Sequence, residues 1–145
     1  AKIMTDLMLA KEELSRHTLA LAKDGEVITS DKRGVAPMVD FLREGKSFSG
    51  FFAADKVIGK AAAMLFIKAG VKEVFGETVS QSAKELFESC GVRVSYNTLA
   101  PYIINRDKTG MCPMESTVFS VSDVETGVKL IFEKLDKMRE KQNKA

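Results

Sequence analysis

The segment Tyr102–Glu115, YIINRDKTGMCPME, gathers more chemically capable side chains than any other stretch of the chain. Neither a helical nor a strand pattern accounts for it, and irregular connections of this length in compact domains are commonly functional. Cys112 precedes Pro113, a residue that favours the first position of a helix, so a short helix starting there places the thiol at an N-cap, where a thiolate is favoured. Glu115 works the other way, by repelling negative charge. A nucleophilic Cys112 with Asp107 or Asp55 as acid/base partner fits acyl, phosphoryl or ribosyl transfer. The competing reading is an inert, packed cysteine, the commoner fate of a free thiol. His17, the single histidine, lies far off in sequence and pairs with Cys112 only if folding joins them. Cys90, at the end of an amphipathic helix, is expected in the core. Asn105, Arg106, Asp107 and Thr109 either contact polar groups of a ligand or form an Asx-type turn ahead of Gly110. Gly110, Met111 and Glu115 complete the ligand-contact candidates in this segment.

A second candidate lies at Asp55, Lys56 and Lys60. The run GFFAA, residues 50–54, reads as a brief buried strand, and Asp55 reads as the cap of a helix reaching Ala69. Two lysines in the first turns of that helix oppose its dipole, so an anion is expected there to offset them. Four residues apart, Lys56 and Lys60 share a helical face and, with the free N–H groups, suit a phosphate or carboxylate. Equally open is a local pairing, with Asp55 capping the helix and both lysines reaching water.

Alternating elements position these groups. Residues 3–15 read as an amphipathic helix that covers a sheet. Strands near 18–23 and 26–30 flank Asp24-Gly25, a hairpin dipeptide. A short helix spans 34–44, with Pro37 in its first turn and Gly45 behind it. After the strand and helix around Asp55, VKEVFGETV reads as a strand, SAKELFESC as a helix capped by Ser80 or Ser82, and VRVSYN as another strand. STVFSV reads as a last strand and Asp123 as the cap of a final helix carrying Val124, Val128, Ile131, Leu135 and Met138. This order specifies one domain over 1–145, a three-layer α/β/α sandwich whose hairpin makes the sheet mixed. Residues 136–145 form a charged tail, expected to be a solvated helix end.

Composition narrows the function classes. The chain has 145 residues, 45% of them hydrophobic, enough for one core but not two. A net charge of +2, from 22 basic and 20 acidic residues scattered along the chain, gives no field for nucleic acid. No apolar run approaches the roughly 20 residues that cross a bilayer, and two separated cysteines fit a reduced, cytoplasmic setting. One histidine and two distant cysteines match no zinc spacing, so neither metal nor cofactor is expected.

GFFAADKVIGKAAAMLFIKAGVKEVFGETVS, followed by YIINRDKTGMCPME, resembles a bacterial and archaeal family of small uncharacterised proteins with a cytidine-deaminase-like fold, over about Leu19 to Leu135. The resemblance implies a five-stranded mixed sheet in an α/β/α sandwich and a homodimer or larger homo-oligomer. True deaminases of that fold hold zinc through an HxE or CxE motif at one helix start and PCxxC at the next. Here Ala53, Ala54 and Asp55 stand at the first place and Val79, Ser80 and Gln81 at the second, so zinc-dependent deamination is not carried over. What the fold leaves is a pocket between the helix at 55–69 and the 102–115 loop. The leading expectation is a metal-free protein binding a small anionic or nucleotide-like molecule there. A cysteine-nucleophile transferase or hydrolase using Cys112 is the alternative, and a protein-interaction module is the third.

Overall fold

The computed structural model describes residues 4–105 and 107–144, and its chain order is α1 (Asp6–Glu13), β1 (Leu19–Lys23), β2 (Glu26–Ser30), α2 (Ala36–Arg43), β3 (Phe52–Ile58), α3 (Lys60–Ala69), β4 (Glu73–Ser80), α4 (Gln81–Ser89), β5 (Arg93–Ala100), α5 (Pro113–Val118) and α6 (Val124–Lys144). The five strands form one mixed sheet in the order β2-β1-β3-β4-β5, with β1 antiparallel to both neighbours and β3, β4 and β5 parallel. The expected α/β/α sandwich is therefore the observed one.

Local chemistry explains the hairpin. Asp24 and Gly25 have φ of 51° and 82°, the left-handed pair that matches strand twist. Asp6 of α1 accepts hydrogen bonds from both their N–H groups, at 2.9 and 3.0 Å, and so ties that helix to the turn. One face of the sheet is small there, with Ala20, Ala22 and Ala54 wholly buried beneath Ala10 and Leu14. α1 sits close for that reason.

α3 and α4 are the crossovers of two successive parallel β-α-β units advancing in one direction, which places both on the opposite face. α3 is the central helix, with Ala61 to Phe66 all buried. Its far side is covered by α6, whose Val128, Ile131 and Leu135 face the core. Arg43 reaches Asp136 through two bonds of 2.8 Å, and Arg139 reaches Asp40 at 3.2 Å, so α6 is also tied to α2. The charged residues expected as a tail are the last turns of α6. Gly127 lets α6 approach, because a Cβ there would run into the buried Met64 sulfur. Gly127→Ala is expected to cost about 1–3 kcal/mol by overpacking. The measurement is the urea midpoint at unchanged m-value; an unmoved midpoint would show that Met64 repacks freely.

Three expectations fail. The helix expected at 55–69 has its N-cap at Gly59 rather than Asp55, four residues later, since β3 runs on through Asp55 and Lys56 to Ile58. Read as a helix, that stretch would have placed Gly59 in the interior at a cost near 1 kcal/mol, beside two β-branched residues. STVFSV is not a strand: Pro113 opens α5, and Met114 and Val118, four apart, are buried on one side of it. Cys90 is not core, because it is the exposed C-cap of α4. Ser80 does cap α4, accepting from the Ala83 N–H at 3.1 Å, and Asp123 accepts from the Thr126 N–H at 2.9 Å to cap α6.

Candidate functional site

β1 and β3 run antiparallel where the sheet changes direction, and at that place, beyond the carboxyl end of β3, lies a cavity of about 390 Å³. Open α/β sheets bind ligands at such a point. β1 approaches it through Thr18, the entry to α2 through Arg33, Gly34 and Val35, β3 through Asp55, Lys56 and Val57, and α3 through Gly59, Ala61 and Ala62. Ile103, Cys112, Met114 and Glu115 close the remaining side. The lining is mostly apolar with a few convergent polar groups, the usual composition of a small-molecule site.

The 102–115 segment is built as a flap on a post. Ile104 and Met111 form an antiparallel bridge, and the Cys112 N–H donates to the Ile103 carbonyl at 3.0 Å. At the tip, Asn105 Oδ1 accepts from the Thr109 N–H at 3.0 Å while its amide donates to the Thr109 hydroxyl at 3.1 Å. Asn105 and Thr109 thus form the turn ahead of Gly110, and they are spent on each other rather than aimed into the cavity. Asp107, exposed in the same turn, does not line the cavity and is not brought to Cys112. Arg106 lies outside the described residues. Met111 faces a smaller pocket of about 120 Å³ with Lys60, Ser82, Tyr102 and Phe119.

Glu115 is the post. It is 7% exposed, and its two carboxylate oxygens accept the N–H groups of Lys60 at 2.8 Å and Ala61 at 2.9 Å, the first residues of α3. The carboxylate that meets the α3 dipole is therefore a side chain from 55 residues away. It also forms the wall shared by the two pockets. Gly59 makes the approach possible: its φ of −96° is ordinary for any residue, but a Cβ would collide with the Glu115 carboxyl group.

The lysine pair dissolves. Lys56 sits on β3 and Lys60 at the first position of α3, so they share no helical face; Lys60 Nζ donates to the Phe119 carbonyl at 3.2 Å. Arg33, which nothing in the local pattern singles out, takes the second cationic place at the larger cavity. Among the described residues neither Arg33 nor Lys56 forms an ion pair. Asp55 has the opposite character. Burial pushes its carboxyl up to about 8, the N–H groups of Lys56 and Val57 pull it back, and the Glu77 charge adds to the rise. Asp55 keeps some surface on the cavity, but the walls around it govern this shift.

Cys112 is the N-cap of α5, as expected, and is partly exposed on the cavity wall. His17 is engaged elsewhere, with Nδ1 2.8 Å from Asp31 and Nε2 3.6 Å from Glu13. No three His, Cys, Asp or Glu side chains among the described residues are grouped to hold a metal ion. The junction with α3 at Gly59 also displaces Ala53–Asp55 from the helix start at which the first deaminase motif belongs. No helix among the described residues is long and apolar enough to cross a membrane.

The family model described as TM1506, a domain of unknown function (DUF1893), matches residues 5–135. Among solved structures, the chain is similar to the crystal structure of a DUF1893 family protein (TM1506) from Thermotoga maritima, with a TM-score of 0.81, 23% identity and 92% of each chain covered. At that identity the likeness speaks for the fold. No curated protein matches.

Proposed function

The chain belongs to the TM1506 family of DUF1893 domains, and we propose that it binds a small molecule with an apolar or aromatic body and one anionic group, nucleotide-like in outline, in the larger cavity. The observation that carries this reading is the charge arrangement. Among the described residues Arg33 and Lys56 line the cavity without ion-pair partners, Glu115 is consumed by the α3 N–H groups, and Asp55 is held neutral by burial. The lining groups thus sum to positive, and an anion completes them. The binding reading does not depend on a cytidine-deaminase-like description of the fold.

The test is thermal stabilisation by nucleoside monophosphates and aromatic carboxylates at millimolar concentration. A ligand present at 100 times its Kd adds about 2.7 kcal/mol, several degrees in Tm for a chain of this size. Arg33→Ala with Lys56→Ala is expected to abolish the shift while leaving the Tm of the free protein within about 2 °C. A panel that produces no shift, or a shift retained by the double variant, would sink the reading.

The position of Cys112 on the cavity wall supports a second reading, a nucleophile acting on the bound molecule. Alkylation followed by mass spectrometry separates the two, with exposed Cys90 as internal reference. A thiol titrating well below about 8.5 is the result expected of a nucleophile. An ordinary titration, slowed by ligand, leaves Cys112 as wall.

A further inference from the structure

Asp55 lines the larger cavity and is less exposed than Arg33 and Lys56 on the same wall, so it marks the inner side, and its surroundings decide what kind of group it can receive. It stands opposite Leu19 of β1 and Gly76 of β4, so the strands on both sides hold the backbone and neither supplies a counter-charge at that position. Its Oδ1 accepts the Lys56 N–H at 2.8 Å, and among the described residues no side chain donates to the carboxyl. Among the described residues the charged groups around it are few. On its own strand Lys56 is exposed; on β4 there is Glu77, also exposed; before α2 there is Arg33; at the start of α3 there is Lys60, turned to the Phe119 carbonyl; and on α5 there is Glu115, committed to α3. β1 brings only Thr18, whose hydroxyl lies within hydrogen-bond distance of the Ser30 and Lys32 carbonyls, and Leu19. None of these forms an ion pair with Asp55. A carboxyl enclosed in this way keeps its proton near neutral pH, in line with its shift to about 8. Protonated, it is a hydrogen-bond donor; ionised, it only accepts.

We infer that Asp55 reads the inner end of the ligand by donating its O–H to an acceptor there, a carbonyl oxygen or an unprotonated ring nitrogen, while the anionic group stays with Arg33 and Lys56. This deepens the binding reading above and rests on it. It makes the ligand polar at both ends, with an acceptor inside, an anion outside and an apolar body between them. A ligand lacking the acceptor leaves the buried O–H without a partner, the situation in which polar sites discriminate most strongly.

Two matched probes test this, neither of which titrates between pH 6.5 and 9. 4-Acetylbenzenesulfonate carries a carbonyl acceptor opposite its anion, and 4-isopropylbenzenesulfonate has nearly the same shape without one. Affinities are read from amide shifts in nitrogen-15 spectra of the whole chain. At pH 6.5 the acetyl probe is expected to bind about tenfold more tightly. That advantage should fall about tenfold by pH 9, as the proton leaves Asp55. Asp55→Asn, which keeps a donor that cannot ionise, should retain the preference at every pH, and Asp55→Ala should lose it.

Equal binding of the two probes at pH 6.5, or an advantage that persists undiminished at pH 9, overturns the inference while the binding reading stands. Binding of neither probe overturns both. Carbon-13 titration of the Asp55 carboxyl in the free protein is independent of any ligand. A midpoint in the ordinary carboxylate range overturns the inference even where the probes bind.

Discussion

Replacing Glu115 with alanine is expected to destabilise the protein by about 2–4 kcal/mol, a drop in Tm on the order of 10 °C. The wild-type carboxylate satisfies two N–H groups at the start of α3, one of them buried, so its removal leaves donors with no partner at the centre of the molecule. It also removes the negative charge that the α3 dipole favours. Glu115→Gln is expected to lose most of the same stability, because an amide offers one acceptor oxygen and sets an N–H2 against donors. Gly59→Ala reaches the same end from the other side by driving the carboxylate off the helix. The two changes remove one interaction, so Gly59→Ala combined with Glu115→Ala should cost clearly less than the sum of the singles. Strict additivity in urea midpoints would show that the contact does not carry the stability.

Asp55 sets the second large effect, with the opposite sign from ordinary carboxylates. Unfolded, it titrates near 3.8, and folded near 8. Between those values the folded state binds more protons, so its contribution is fully present below the unfolded value and is lost as pH rises through the folded one. Stability should therefore decline from about pH 5 to 8 with a slope of up to about 1.4 kcal/mol per pH unit, less where cavity water reaches the carboxylate, and then flatten. The depressed carboxylates act in another window. Burial opposes the shift at Asp40, but hydrogen bonds from Lys32 and Arg139 outweigh it; the Thr126 hydroxyl and N–H lower Asp123, and Arg43 lowers Asp136. Their contributions vanish on acidification, below the range that Asp55 controls. Asp55→Asn should thus equal or exceed the parent in stability at pH 8 and show no decline from pH 5. Urea titrations of both proteins at pH 5, 6.5 and 8 decide the matter, and parallel curves would remove Asp55 as the cause.

These two residues also mark where reading the chain as a string succeeds and where it stops. Features set within one turn of backbone were legible. Asp24-Gly25 makes its hairpin, Ser80 and Asp123 cap their helices, Pro113 starts α5 with Cys112 at its N-cap, and the α/β alternation leads to the observed sandwich. Asn105 and Thr109 likewise close the turn that Gly110 follows. The error at Asp55 was local too, for Gly59 and two β-branched residues argued against a helix starting there.

What the chain order withholds is partnership across distance. The anion expected beside Lys56 and Lys60 presumes a helix starting at Asp55; the fold puts Lys56 on β3 and brings Glu115 from 55 residues away to an α3 that starts at Lys60. Arg33 joins the cavity because α2 enters beside the end of β3, and no spacing announces that. Asp107 and Cys112 are close in sequence but the flap keeps Asp107 at its exposed tip, while the charge state of Asp55 depends on walls drawn from five segments of the chain. Backbone propensity and capping act over a few residues, so one sequence suffices to read them. Burial and electrostatics depend on distance in space, which the chain acquires only when the sheet, α3 and the flap are packed together.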